Sequence, residues 1–142
     1  MSKVLVAVLT NGKPEKLDRC LKSVNSNSSP HERIVVINIT DTESSSLATQ
    51  ISFDNGYAVA KGKCDDDPVK GKMSVLRYFH ATTADYLFYV NADDYNSHNS
   101  IASFYKKDDV EAEFKNRPNI DIENIPSLDG DFLNMYEFFE HL

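Results

Sequence analysis

The sequence predicts one α/β domain whose mostly parallel β-sheet is flanked by helices. Short apolar runs alternate along the chain with segments in which apolar residues recur at helical spacing. Parallel neighbours need a crossover connection, usually a helix, so this alternation favours a parallel sheet covered on both faces. With 142 residues, of which 41% are hydrophobic, the chain can build one core and has little left for a second.

Four apolar runs are the predicted strands, at residues 4–9, 34–39, 57–60 and 86–90. The first run is followed by a turn that contains Gly12 and Pro14, and the third follows Asn55-Gly56, a pair typical of turns. The second run is strongly β-branched, which favours a strand. This order of strands and helices places the domain in the broad Rossmann-like group of α/β folds.

Three segments between these runs have features of helices. The first has Pro14 near its start, the second covers 44–53 and is weakened by its serines, and the third begins at Gly71 after a polar loop. The apolar faces of the first and third segments consist of Leu17, Cys20, Leu21 and Val24 and of Met73, Leu76, Phe79 and His80. These stripes predict helices that pack on the sheet.

Residues 96–142 differ in character from residues 1–95, and we treat both as parts of one domain. The sequence predicts a charged helix at 101–114, an extended segment at 116–126 and an amphipathic helix at 132–142. The aromatic residues of the last helix are more typical of a core than of a ligand site. We therefore expect this part to fold back on the sheet.

The charge and the cysteines exclude several classes of protein. The formal net charge is −7, and residues 96–142 contain four Lys or Arg against ten Asp or Glu. An acidic surface repels phosphate backbones, so we expect no nucleic acid partner. Two cysteines do not make a disulfide framework, which fits a reducing, cytoplasmic location. No apolar run has the length of a signal peptide or of a membrane span.

The most informative feature is the change from the apolar run 86–90 to Asn91-Ala92-Asp93-Asp94. Open α/β sheets bind ligands at the carboxyl ends of their strands. Carboxylates there suit a hard divalent cation, Mg²⁺ or Mn²⁺. Asn and Asp also end strands for purely structural reasons, and that alternative stays open. We predict that Asp93, helped by Asp94 or Asn91, holds the ion.

Together these motifs resemble the family 2 glycosyltransferases of the GT-A fold. The resemblance rests on Lys16-Leu17-x-x-Cys20-Leu21-x-Ser23-Val24, on the Gly71-Lys72 helix, on the segment 87–94 and on the order of the strands. It covers the first two thirds of the chain, which is shorter than most members of that family. Asn91 stands where the family commonly has an aspartate, and Asn38-Ile39, with Asp41 nearby, stands where it commonly has two.

The resemblance implies transfer of a sugar from a nucleoside diphosphate, with UDP as the favoured carrier, to a hydroxyl acceptor, with inversion. A Mn²⁺ or Mg²⁺ ion would stabilise the departing diphosphate. The implied donor-site residues are Thr10, Asn11 and Asp41 for the nucleoside, Lys72 for the diphosphate, and Asn91 and Ala92 beside the metal ligands Asp93 and Asp94. Lys72 is as well explained as a solvated loop lysine.

The resemblance also implies a catalytic base in the acceptor half. An inverting transfer needs a carboxylate to take the proton of the acceptor hydroxyl. Asp131, with Asp129 beside it, matches the family's acidic segment, although a turn and a helix cap explain these residues equally well. His98 or His141 would complete a metal shell, but each is more typical of a surface side chain.

Two other functions remain open on the sequence alone. A sugar nucleotidyltransferase would share the sheet and the metal but normally has a glycine-rich basic loop after the first strand. A non-catalytic nucleotide-binding or assembly module would explain the altered metal motif. The acceptor would be a glycan, a glycolipid head group, which would bring the protein to a membrane surface, or a small molecule. A second subunit of a homodimer would complete an open acceptor cleft.

Two further patterns are set aside. Gly71-Lys72-Met73-Ser74 superficially suggests a phosphate-binding P-loop, but the first glycine of that motif is missing. The run Asp65-Asp66-Asp67 lies in a polar loop rather than at a strand end, and we interpret it as a solvated, mobile loop. A role as a lid stays open.

Overall fold

The computed structural model of the chain describes residues 3–12, 14–26, 32–94 and 103–116. Strands and helices alternate through these residues, as the sequence predicts. The elements are β1 (Val4–Asn11), α1 (Leu17–Ser26), β2 (Glu32–Asn38), α2 (Thr42–Asp54), β3 (Ala58–Lys61), α3 (Pro68–Ala81), β4 (Tyr86–Asn91), β5 (Ser103–Lys106) and α4 (Lys107–Asn116). Short 3₁₀ turns at Pro14–Lys16 and Ala92–Asp94 follow β1 and β4.

The five strands form one sheet in the order β3-β2-β1-β4-β5. β1 pairs in parallel with β2 and β4, β2 pairs in parallel with β3, and β5 alone is antiparallel. All eight residues of β1 are buried, which fits its central position between two neighbours and two helical layers. The predicted mostly parallel sheet is confirmed.

Helices cover both faces of the sheet, because successive residues of each strand point to opposite sides. On one face, Val4, Val6 and Val8 of β1 pack with α1 and α2. On the other face, Leu5 and Leu9 pack with α3 and α4. The predicted stripe of α1 is buried, and α3 buries Leu76 and Phe79 with Met73 packed beside them. His80 is half-buried and stacks on Phe114 at 4.6 Å between ring centroids.

The differences from the predicted elements that matter most for the site are at β1, α3 and residues 103–106. β1 continues beyond the predicted 4–9 to Asn11, so Asn11 is a strand residue rather than part of the turn. α3 begins at Pro68 instead of Gly71, with Asp67 as its N-cap. Residues 103–106 form a strand where the sequence predicted a helix, since β4 offers them a partner edge. Of the extended segment predicted at 116–126, only Asn116 is described, and it ends α4; the rest of that segment and the helix predicted at 132–142 lie outside the described residues.

Within the described residues, no helix combines the length and the apolar character that crossing a bilayer requires.

Candidate functional site at the carboxyl edge of the sheet

The site begins where the chain changes direction across the sheet. The connections from β1 to β2 and from β2 to β3 pass over one face, whereas α3 returns across the other face to place β4 beside β1. A crevice forms at such a switch point, outside the carboxyl ends of the two diverging strands, and ligands of open α/β sheets bind there. Asn11 ends β1 and Asn91 ends β4, so both border this crevice.

Asp93 is fixed at this switch point by the end of β1. Its Oδ2 accepts a hydrogen bond from the backbone N–H of Asn11 at 2.9 Å, although the two residues are 82 positions apart. Its own N–H donates to Oδ1 of Asn91 at 3.0 Å, and the Lys16 ammonium lies 3.4 Å from its carbonyl oxygen. Asp93 is half-buried, whereas the Ala92 side chain is buried in the core beneath α1. The structure therefore brings together Asn11, Asn91 and Asp93 as the sequence analysis expected.

The charge of Asp93 also affects a buried side chain, Cys20. Burial raises the pKa of the Cys20 thiol to about 12, and the nearby negative charge of Asp93 contributes to that increase. Cys20 lies on α1 and is fully buried. The Asp93 carboxylate is thus near enough to α1 for its charge to act on the Cys20 thiol.

Asn38 connects the crevice to the neighbouring loop, and the sequence analysis did not include it among the site residues. Its Nδ2 donates to Oδ1 of Asn11 and to the carbonyl of Asp67, both at 2.9 Å. Its Oδ1 accepts from the N–H of Asp65 at 3.3 Å. Asn38 has no exposed surface. The only sequence signal was that Asn38 stands where the family 2 glycosyltransferases commonly have an aspartate.

The loop that holds Asp65, Asp66 and Asp67 is bonded to its surroundings. The Asp66 carboxylate accepts from both the N–H and the hydroxyl of Thr40, and Asp67 accepts from the N–H of Val69 at 2.9 Å. Asp65 lies 3.5 Å from the Lys70 ammonium. The predicted loop is present, and its carboxylates serve to anchor it to β2 and α3.

Gly71 allows α3 to approach the ends of β1 and β2 closely. A Cβ atom at this position would lie 2.7 Å from Oδ1 of Asn11 and 3.0 Å from Nδ2 of Asn38. No side chain fits there without displacing this pair of amides. A glycine at this position is therefore part of the architecture of the crevice.

Lys72 is in the second turn of α3, so the predicted position at the helix start was wrong. Its ammonium lies 5.7 Å from the ring centroid of Tyr89 and 5.3 Å from that of Tyr105. Within residues 3–12, 14–26, 32–94 and 103–116, no carboxylate lies within 4 Å of it. Lys72 is thus a half-buried cation on the face of the sheet that carries Asn91, with aromatic neighbours that do not neutralise it.

Two buried polar atoms near the crevice have no hydrogen-bond partner in the described part of the chain. They are Oγ1 of Thr10 and Nδ2 of Asn11. A buried donor without an acceptor costs about 1–3 kcal/mol, which a water molecule or a ligand would recover. The third predicted nucleoside contact, Asp41, accepts from the N–H of Ser44 at 2.9 Å as the N-cap of α2. That hydrogen bond holds the pKa of the exposed Asp41 carboxyl below its ordinary value.

The residues present fit a divalent cation only with help from a ligand. The described residues contain no group of three His, Cys, Asp or Glu side chains able to hold a metal. Asp93 would therefore bind Mg²⁺ or Mn²⁺ together with phosphate oxygens and water, an arrangement that Mg²⁺ commonly adopts. The side chain of Asp94 is not described, and Asp129, Asp131, His98 and His141 lie outside the described residues.

No protein-family model matches the chain, and no curated protein matches it significantly. The resemblance to family 2 glycosyltransferases accordingly stays a prediction that rests on the motifs themselves.

Proposed function

We propose that this chain is a GT-A glycosyltransferase that moves a sugar from a UDP-sugar to a hydroxyl acceptor with the help of Mn²⁺ or Mg²⁺. The observation that supports it best is the position of Asp93. Its carboxylate is held at the switch point of the sheet by the N–H of Asn11 at 2.9 Å. A Rossmann-like sheet binds nucleotides at this point, and an oxygen ligand there suits a metal that carries a diphosphate.

Three residues of the crevice have a role in binding the donor. Asp93 holds the ion, and the Lys72 ammonium supplies positive charge that no described carboxylate neutralises. The Nδ2 of Asn11 has no partner in the described residues and would donate to a ligand oxygen. Asp93 would hold the ion together with the diphosphate, and the ion would supply Lewis-acid stabilisation of the leaving group.

Transfer with inversion also requires a base for the acceptor hydroxyl, and we assign this role to Asp131, with Asp129 beside it. Both are part of the proposal through the sequence motif alone. The stereochemical outcome is open to direct measurement by NMR of the product anomer.

The decisive variant is Asp93→Asn. The amide keeps an oxygen that can accept from the N–H of Asn11 but removes the charge that binds the ion. The matched control is Asp85→Asn, because Asp85 Oδ2 accepts the N–H of Lys3 at 2.9 Å at the opposite end of β1. The two aspartates flank β4, and each accepts a backbone N–H at or next to one end of β1, but only Asp93 borders the crevice.

Calorimetric titration of UDP in the presence and absence of Mn²⁺ measures the first step. We expect Mn²⁺-dependent binding in the native chain and in Asp85→Asn, and affinity lower by roughly 10- to 100-fold in Asp93→Asn. Release of UDP from a panel of UDP-sugars in the presence of acceptors measures the second step. Binding that ignores Mn²⁺, or that is equal in both variants, would contradict the proposal.

A non-catalytic nucleotide-binding module is the second candidate. Asn38 and Asn91 stand where the family 2 glycosyltransferases commonly have aspartates, and the side-chain amides of both form hydrogen bonds within the protein. Metal-dependent binding of UDP without any release of UDP from the donor panel would favour this candidate over the transferase.

A further inference from the structure

A second cavity lies away from the crevice, between α2 and the edge strand β3. It is an open groove of about 470 Å³, within the range of roughly 300–1,000 Å³ that small-molecule sites occupy. Its lining includes Thr40, Ser45, Thr49, Gln50, Phe53 and Lys61. These residues belong to one side of α2 and to the carboxyl ends of β2 and β3, so the groove is a feature of the fold rather than of one loop.

Ser45 brings a hydroxyl to the wall of the groove. Its residue surface is 8% exposed, and it is one of the residues that line the groove. The Thr49 hydroxyl, also in the lining, donates to the carbonyl of Ser45 at 2.9 Å and therefore offers lone pairs to a ligand.

Phe53 supplies an apolar surface beside these hydroxyls. Its ring is on α2 and 58% of its residue surface is exposed, so it is accessible to a ligand in the groove. Among the described residues of the lining, Lys61 is the only cationic one and none is Asp or Glu. A ligand of this groove therefore has many hydroxyl groups, a flat apolar face and at most a small negative charge.

We propose that this groove is a binding subsite for a carbohydrate unit of one or two sugars. Sugar hydroxyls both donate and accept hydrogen bonds, as the Ser and Thr hydroxyls of the groove do. The C–H face of a pyranose packs on an aromatic ring, which is the role of Phe53. A nucleotide is less well served, because one exposed lysine is a weak partner for a diphosphate. The subsite is independent of the crevice and of whether the chain transfers a sugar.

The chain offers matched variants for the test. Phe53 and Leu47 are both exposed apolar residues of α2, at 58% and 54%, and only Phe53 lines the groove. Ser45 and Ser52 are both buried serines of α2, but the Ser52 hydroxyl donates to the carbonyl of Ala48 and does not line the groove. Removal of an exposed side chain leaves folding intact, so a loss of binding in Phe53→Ala reports on the groove.

The experiment titrates the ¹⁵N-labelled full chain with methyl glycosides of glucose, galactose, mannose and N-acetylglucosamine and with their common disaccharides. Uridine and inorganic phosphate are the probes for a nucleotide. We expect at least one saccharide to give saturable amide shifts in α2 and at Lys61, with affinity lower by about tenfold in Phe53→Ala and several-fold in Ser45→Ala. Leu47→Ala and Ser52→Ala should bind as the native chain does.

The subsite proposal is overturned if no saccharide shifts these amides, if uridine or phosphate shifts them instead, or if Phe53→Ala binds as well as Leu47→Ala. These readouts do not involve Asp93 or a metal. Failure of the crevice as a UDP site therefore leaves the result interpretable, and the reverse also holds.

Discussion

Substitution of Gly71 by alanine tests the close packing that forms the crevice. On an ordinary helix, a change from glycine to alanine is stabilising by about 1 kcal/mol. Here the new methyl group would lie 2.7 Å from Oδ1 of Asn11 and 3.0 Å from both Nδ2 of Asn38 and Cδ1 of Leu9. Overpacking of this kind costs about 1–3 kcal/mol, and loss of the hydrogen bond between the two amides adds about 1 kcal/mol.

We therefore expect Gly71→Ala to lower the free energy of unfolding by about 2 kcal/mol, measured by urea denaturation followed by circular dichroism. Arg77→Ala, at an exposed position of the same helix, should change it by less than about 0.5 kcal/mol. In a background of Asn11→Ala, where the nearest contact is gone, Gly71→Ala should cost about 1 kcal/mol less. A Gly71→Ala protein as stable as the native chain, or more stable, would refute the close approach.

Two further predictions concern the helix ends. The Lys107 ammonium donates to three carbonyls at the end of α3. Lys107→Met should therefore lower the free energy of unfolding by about 1–3 kcal/mol. The control Lys106→Met, at the exposed neighbouring position, should change it little. Equal effects in urea denaturation would contradict this assignment. The hydrogen bond from the Ser44 N–H lowers the pKa of Asp41 in the folded state. The stabilising effect of this bond is therefore present above the pKa of about 3.9 in the unfolded state, and it is lost as the pH falls through the pKa of the folded state. The difference in stability between the native chain and Asp41→Ala should therefore shrink below about pH 4, and a difference that grows in acid would refute this.

Much of the fold could be predicted from local sequence because its signals are local. The strands β1, β2 and β4 are continuous apolar runs that stay buried on both faces, and the stripe of α1 faces a single core. The start of α3 also had local signals, namely Asp67 as N-cap and Pro68 in the first turn, but the spacing of apolar residues outweighed them. The strand at 103–106 had no such signal, because it depends on pairing with β4.

The candidate site was predictable only in part, for a related reason. Asp93 was identified because an acid after a buried strand is visible in the sequence. Asn11 and Asn38 are uncharged and act through hydrogen bonds between residues 27 to 82 positions apart, so their part in the site is not visible in the local sequence. The groove beside α2 is lined by Lys61 and by serines of α2, and in the sequence these serines indicate only a lower helix propensity. Chemistry assembled from distant segments leaves little trace in any one of them.

The two aspartate anchors at the ends of β1 have a consequence for synthesis on the ribosome. Asp85 accepts from the N–H of Lys3, just before β1, and Asp93 from the N–H of Asn11 at its end, each from 82 residues downstream. Translation at about 5–20 residues per second leaves one edge of this mostly apolar strand open for roughly 4–16 s before β4 emerges. During that interval the nascent chain exposes its most aggregation-prone edge, so we expect holdase chaperones to engage it until both carboxylates have arrived.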